Sequence, residues 1–203
     1  MYFATPGPDL ALQVLVNQHW HNSVLDVLMP LASSRLVLAV LIVLGAAWAI
    51  RRLGWRQTFC FLLLLAALGC TDFATKQVKH AVERVRPLND IPGTRYVEDG
   101  EWRQRPPDFV RTKMRGQSYP SAHAANTACL AVLAMLLWPR LRWWPLLLPL
   151  VTGYSRIYLG KHYPTDVLAG WLLGAVVATL LWLAWTRWLR DRLLHPPPSA
   201  ADG

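Results

Sequence analysis

Five uncharged apolar blocks, residues 36–50, 58–71, 128–138, 144–155 and 167–186, leave this chain few ways to fold. With their weakly polar flanks, most approach the roughly 20 residues an α-helix needs to cross a bilayer. Hydrophobic residues make up 54% of the sequence and the mean hydropathy is +0.24, which places a 203-residue chain outside the ordinary soluble range and makes a soluble bundle the weaker alternative. The expected fold is an all-α integral membrane bundle with about five spanning helices. Residues 8–30 are amphipathic and add either an interfacial helix or a further span.

The expected organisation is an N-terminal segment (1–33), a membrane core (34–190) with a long loop (76–118), and a disordered tail (191–203) led by Pro196, Pro197 and Pro198. Met1 to Leu10 lacks the basic region that opens a cleavable signal. The loop is punctuated by Pro92, Gly93, Gly100, Pro106, Pro107 and Gly116, so it reads as a partly ordered cap and not a helix. Cys60, Cys70 and Cys129 sit inside apolar blocks without metal-ligand or paired spacing and read as buried small hydrophobes.

If all five blocks cross, the short basic connections Arg51-Arg52…Arg56 and Arg140…Arg142, with Arg187…Arg190…Arg192, fall on one side. Eight of the eleven tryptophans (Trp48, Trp55, Trp138, Trp143, Trp144, Trp182, Trp185, Trp188) flank those connections and read as an interfacial belt. The loop over residues 76–118 carries ten Lys and Arg against eight on the opposite face, but short loops weigh most in the positive-inside rule. The basic connections are therefore expected in the cytoplasm.

Three clusters of ionisable groups then share the other side, and such groups near lipid are costly unless they function. In the first, Lys79 and Arg86 are two helical turns apart and expected on one stripe, with Pro87 ending the helix. The plainer reading is a solvated basic stretch with Lys76, His80 and Arg84, in which Glu83 pairs with Lys79. In the second, Ser118-Tyr119-Pro120-Ser121-Ala122-His123 precedes an apolar run and so lies at a helix N-terminus, where unpaired N–H groups favour an anion. Ser121 adds a hydroxyl or is only an N-cap; His123 stands where it can protonate a leaving oxygen.

In the third cluster, His162 and Asp166 are four apart, a spacing that lets the carboxylate bond one imidazole nitrogen and leave the other as nucleophile. Arg156 offers a planar fork for phosphate oxygens, while Lys161 reads as a surface or headgroup charge. Two imidazoles, a carboxylate and three cations form a set suited to holding a phosphate and attacking its phosphorus.

These residues resemble the type 2 phosphatidic acid phosphatase family, which shares its site with vanadium haloperoxidases. Its pattern is a lysine, six residues, then Arg-Pro; a Pro-Ser-Gly-His; and Ser-Arg, five residues, His, three residues, Asp. Lys79 through Arg86-Pro87 and Ser155-Arg156, His162 and Asp166 match the first and third, and Pro120-Ser121-Ala122-His123 departs from the second only at Ala122. The resemblance spans roughly residues 56–175. It implies a cofactor-free, metal-free reaction through a phosphohistidine, with His162 as nucleophile, Asp166 as its orienting partner and His123 as general acid. Lys79, Arg86, Ser121, Ala122 through its backbone, and Arg156 would hold the phosphate. An alanine suffices at 122 where φ is negative.

The expected partner is a phospholipid or polyprenyl phosphate in the bilayer of a bacterial-type inner membrane, not nucleic acid, with the site facing outside. Undecaprenyl diphosphate is the first choice, because ten cations in the 76–118 loop suit a headgroup with extra charge; phosphatidic acid, phosphatidylglycerol phosphate and lipid A phosphate are the others. Rival readings are a lipid phosphotransferase using the same phosphohistidine, a haloperoxidase, and a non-catalytic lipid-binding protein.

Overall fold

The computed structural model describes residues 5–188, so the expected disordered tail lies outside the described residues. The helices are α1 (Gly7–Val14), continued by a π-helical turn (Leu15–His19), α2 (Ser23–Ala32), α3 (Arg35–Leu53), α4 (Gln57–Val82), α5 (Ala122–Leu137), α6 (Leu147–Tyr158) and α7 (Pro164–Trp188). Side chains cap three of them at the start: Asn22 accepts from Leu25 N–H, Ser34 from Val37 N–H and Ser121 from Ala124 N–H. The 76–118 loop is ordered by a hairpin of β1 (Arg95–Glu98) and β2 (Glu101–Gln104). Its turn residues Asp99 and Gly100 both have positive φ (54° and 83°), as a two-residue turn matching strand twist requires.

Three helices, α3, α4 and α7, are long and apolar enough to cross a membrane. Three of the five blocks thus reach that length, and the other two form shorter helices. With 16 and 12 residues, α5 and α6 extend only about 24 and 18 Å. The reason lies in composition and breakers. Helix α5 is rich in alanine and its Ala124, Ala125, Ala128, Cys129, Ala131 and Leu133 are buried, so it is a central rod wrapped by α4, α6 and α7. Ahead of α6, Pro139 and Pro145 hold residues 139–146 in two short 3₁₀ turns.

Helix α7 lies closest to α5, because Gly170 and Gly174 leave no side chain between them. A Cβ at Gly170 would stand 2.6 Å from the Ser121 carbonyl oxygen, and one at Gly174 would stand 2.1 Å from that of Ala125. Below this contact, Leu64, Ala67, Cys129, Leu130, Leu133 and Ala178 form the core. Leu36, Val43, Phe73, Leu172 and Leu180 face outward and exposed, the surface expected toward lipid. Cys60 and Cys129 are buried as expected, but Cys70 is on that outer surface. In the tryptophan belt, Trp48, Trp55, Trp143, Trp144 and Trp188 are exposed, whereas Trp185 is buried.

No helix within residues 8–30 is long enough to cross a membrane, since the segment breaks into short pieces. Asp9, Gln13 and Asn17, spaced by four, are buried on one stripe, while Leu10, Leu12 and Leu15 point out. The amphipathic segment is thus turned with its polar face inward. Gln13 donates to the Ile157 carbonyl (3.1 Å), which also accepts from Gly160 N–H (3.0 Å), and Asn17 donates to the carbonyl of Tyr158 (2.6 Å), so both side chains bind the chain where α6 ends.

Candidate active site

All three ionisable clusters meet at one end of the bundle, where α4 and α6 finish and α5 and α7 begin. Backbone hydrogen bonds stitch the converging strands of chain together. Ser118 N–H donates to the Arg84 carbonyl (2.8 Å), Leu88 N–H to that of Gly160 (3.0 Å) and Ser121 N–H to that of Asp166 (2.9 Å).

The first cluster is not the two-turn helical stripe expected. Helix α4 ends at Val82 with Glu83 in a left-handed conformation (φ 50°), before the chain reaches Pro87. Arg86 is extended (φ −77°, ψ 150°) and reaches the site by the reversal of the chain. Lys79, in the last turn of α4, lies within electrostatic reach of Arg86, Arg156 and Asp166 and donates to the Gln117 carbonyl at 3.1 Å. The alternative Lys79–Glu83 pair is not made; Glu83 faces Arg115 at 3.3 Å.

Ser121 is the N-cap of α5, its oxygen accepting from Ala124 N–H at 3.5 Å, and its hydroxyl proton is still available to donate. Ala122 takes the first helical position, and the only non-glycine residues with positive φ among those described are Glu83, Asp99 and Arg142. Alanine therefore meets no backbone penalty there. His123 follows, half-buried, within electrostatic reach of Arg156 and His162.

His162 departs from the expected pairing. Its Nδ1 hydrogen-bonds the Ser118 carbonyl oxygen at 2.8 Å, and the Asp166 Oδ2 stands 3.6 Å away as a charge neighbour. A carbonyl only accepts, so Nδ1 carries the proton and Nε2 keeps its lone pair. Burial, reinforced by the charges of Arg156 and Arg86 and opposed by Asp166, pushes the imidazole down to about 3 from the ordinary 6.5. At neutral pH it is an uncharged base of fixed tautomer.

Asp166 instead organises the site around itself. Its Oδ1 accepts from Arg84 Nη1 (2.6 Å), and its Oδ2 accepts from Tyr163 N–H (2.9 Å) and the Ser118 hydroxyl. The plainer alternative for the first cluster counts Arg84 in a solvated stretch, yet it is among the most deeply buried side chains described. It bridges Asp166 and Asp9 of α1, with its guanidinium 3.9 Å above the Tyr163 ring. Asp9 also accepts from Thr165 N–H at 2.9 Å and from its hydroxyl at 2.7 Å. The sequence signal for this pair was an aspartate inside a segment of alternating leucines.

The cations separate into two sets. Arg84, Arg95, Arg103, Arg111 and Arg115 each pair with a carboxylate. Arg86 and Arg156 pair with none among the described residues, and Arg156, though buried, leaves its Nε without a partner. Leaving a buried guanidinium uncompensated costs several kcal/mol, so the geometry suits an incoming anion. Half of the loop's ten cations are spent internally, and the loop-charge argument for a diphosphate headgroup loses its ground.

The family model of the PAP2 superfamily matches residues 57–190. Phosphatidylglycerophosphatase B of Bacillus subtilis (strain 168) is 30% identical over 183 residues, covering 83% of this chain and 77% of that protein. Undecaprenyl-diphosphatase BcrC of the same organism is 28% identical over 171 residues, covering 84% and 79%. The crystal structure of a transmembrane PAP2 type phosphatidylglycerolphosphate phosphatase from Bacillus subtilis superposes with a TM-score of 0.61 at 26% identity, covering 91% of this chain and 86% of that one.

Proposed function

The chain belongs to the PAP2 superfamily as an integral membrane lipid phosphatase, and we propose that it transfers the terminal phosphoryl group of a lipid phosphate or diphosphate first to His162 and then to water. The observation that carries this reading is the juxtaposition of an uncharged His162 of fixed tautomer with the unpaired, buried Arg156. Lys79, Arg86 and Arg156 hold the phosphoryl oxygens, aided by the Ser121 hydroxyl and the Ala122 N–H at the α5 N-terminus. His162 Nε2 attacks phosphorus in line with the leaving oxygen, and His123 gives that oxygen a proton. A water then attacks the phosphohistidine, losing its proton to His123. Asp166 steadies the positive charge that forms on His162, held ionised by Arg84.

The reaction as written uses no metal. The site faces outward across a bacterial-type inner membrane, a reading supported by Arg51, Arg52, Arg56, Arg140 and Arg142 in short connections at the far end. Undecaprenyl diphosphate remains the first substrate choice, supported by the BcrC relative's name, with phosphatidylglycerol phosphate next.

The test is phosphate release by the purified protein in detergent from a panel of lipid phosphates. Release should persist in excess EDTA and be blocked by vanadate, which adopts the five-coordinate shape of the transition state. Turnover lost in EDTA and restored by magnesium would overturn the metal-free reaction. A new phospholipid in place of free phosphate would make the protein a transferase.

A further inference from the structure

Beside His123 a groove of about 400 Å³ opens between α3, α4, α5 and α6. Leu38, Leu41, Ile42, Leu68 and Val151 line its apolar length, and Arg35 and His123 stand on its wall. Arg35 is the first residue of α3, and its place is fixed by the turn before it. The Ser33 hydroxyl meets the Ser155 hydroxyl at 2.6 Å, Ser155 is also bonded to the Met29 carbonyl, and Ser34 caps α3. The α2–α3 turn is thereby pinned to α6 at the residue preceding Arg156. Arg35 acts electrostatically on both His123 and Arg156 and forms no ion pair among the described residues. The groove's carboxylate, Asp72, is engaged by Asn126 Nδ2 at 2.8 Å.

On the assignment of His162 as nucleophile and His123 as acid, the groove receives the leaving group. An apolar channel that begins with an unpaired cation suits a leaving group that is apolar at one end and anionic at the other. A lipid monophosphate releases an alcohol, which has no such charge. A lipid diphosphate releases a lipid monophosphate, which has.

We propose that Arg35 is a specificity-determining residue that binds the lipid-proximal phosphate of a diphosphate substrate, making a lipid diphosphate the preferred class. In the step, Nε2 of His162 bonds to the terminal phosphorus while the bond from that phosphorus to the bridging oxygen breaks. The bridging oxygen keeps the electron pair, takes the proton from His123 and leaves as lipid monophosphate against Arg35. Water then cleaves the P–N bond, giving inorganic phosphate and restoring both histidines.

The experiment compares kcat/KM for a polyprenyl diphosphate and the polyprenyl monophosphate of the same chain length, in mixed micelles, for wild type, Arg35→Gln and Arg35→Lys. Arg35→Gln should lower the diphosphate value by about 10- to 100-fold, as expected for one charge-assisted contact, and the monophosphate value by less than about threefold. Arg35→Lys should recover part of the diphosphate loss. Equal losses on both lipids, or an unchanged diphosphate value, would overturn the assignment of Arg35 while leaving the phosphatase reading standing. A wild type inert on both lipids would overturn the two together.

Discussion

His123 and His162 are half-buried and buried, respectively, in one cationic pocket, and the proposed chemistry gives them successive tasks that substitution can separate. His162→Ala removes the atom that receives phosphorus, so no substrate should turn over. His123→Ala removes only a proton donor, lowering turnover of a lipid phosphate by about 10²- to 10⁴-fold. An aryl phosphate with an acidic phenol leaves without a proton, and His123→Ala should keep much of its activity on that substrate. If His162→Ala retained activity on both substrates while His123→Ala lost both, the two assignments would be exchanged or abandoned. The spacing of His162 and Asp166 pointed to the right neighbours and to the wrong hydrogen bond. The acceptor, the carbonyl of Ser118, is a backbone atom 44 residues away, and no side-chain pattern announces it. Charge sorting was equally hidden, since Arg84 and Arg86 are two residues apart in one basic run, yet one is neutralised by two carboxylates and the other by none among the described residues.

Among the elements, α1 changed its meaning most between sequence and structure. Its 3.6-residue periodicity was legible, but periodicity does not say which face turns inward. In water the leucines would be buried; beside a membrane and a polar site, Asp9, Gln13 and Asn17 are buried instead. Through Asp9 and Arg84 this N-terminal helix is tied to the first turn of α7, where Asp166 lies. Arg84→Met leaves two buried carboxylates without their cation and should destabilise the protein by about 3–5 kcal/mol, measured as a lowered unfolding midpoint in detergent. A loss below about 1 kcal/mol would show that the bridge is not held in the folded protein. The lengths of α3, α4 and α7 were readable from apolar runs. The shortness of α5 and α6 was not, because an alanine-rich buried helix and a lipid-facing one look alike in hydropathy, and the Gly170–Gly174 contact becomes evident only once α5 is known to be its partner.

At the scale of the whole molecule, helices that alternate in direction bring the ends of α4, α5, α6 and α7 to one side, and the exposed Trp48, Trp55, Trp143 and Trp144 to the other. Reporters inserted at Gly100 and at Arg142 should therefore report opposite sides of the membrane, the first outside and the second cytoplasmic; a shared side would break the alternation. The site gathers Lys79, Arg86 and Arg156, none of them in an ion pair among the described residues, about an uncharged His162, and the covalent step is the part of the proposal that this arrangement bears on most directly. The measurement is a rapid alkaline quench of the detergent-solubilised enzyme with a lipid substrate radiolabelled in its terminal phosphoryl group, followed by peptide mapping of the label. Label stable to alkali and lost in acid should map to His162 in wild type and be absent from His162→Ala. Phosphate released at full rate with no label on His162, or label persisting in His162→Ala, would contradict the phosphohistidine mechanism.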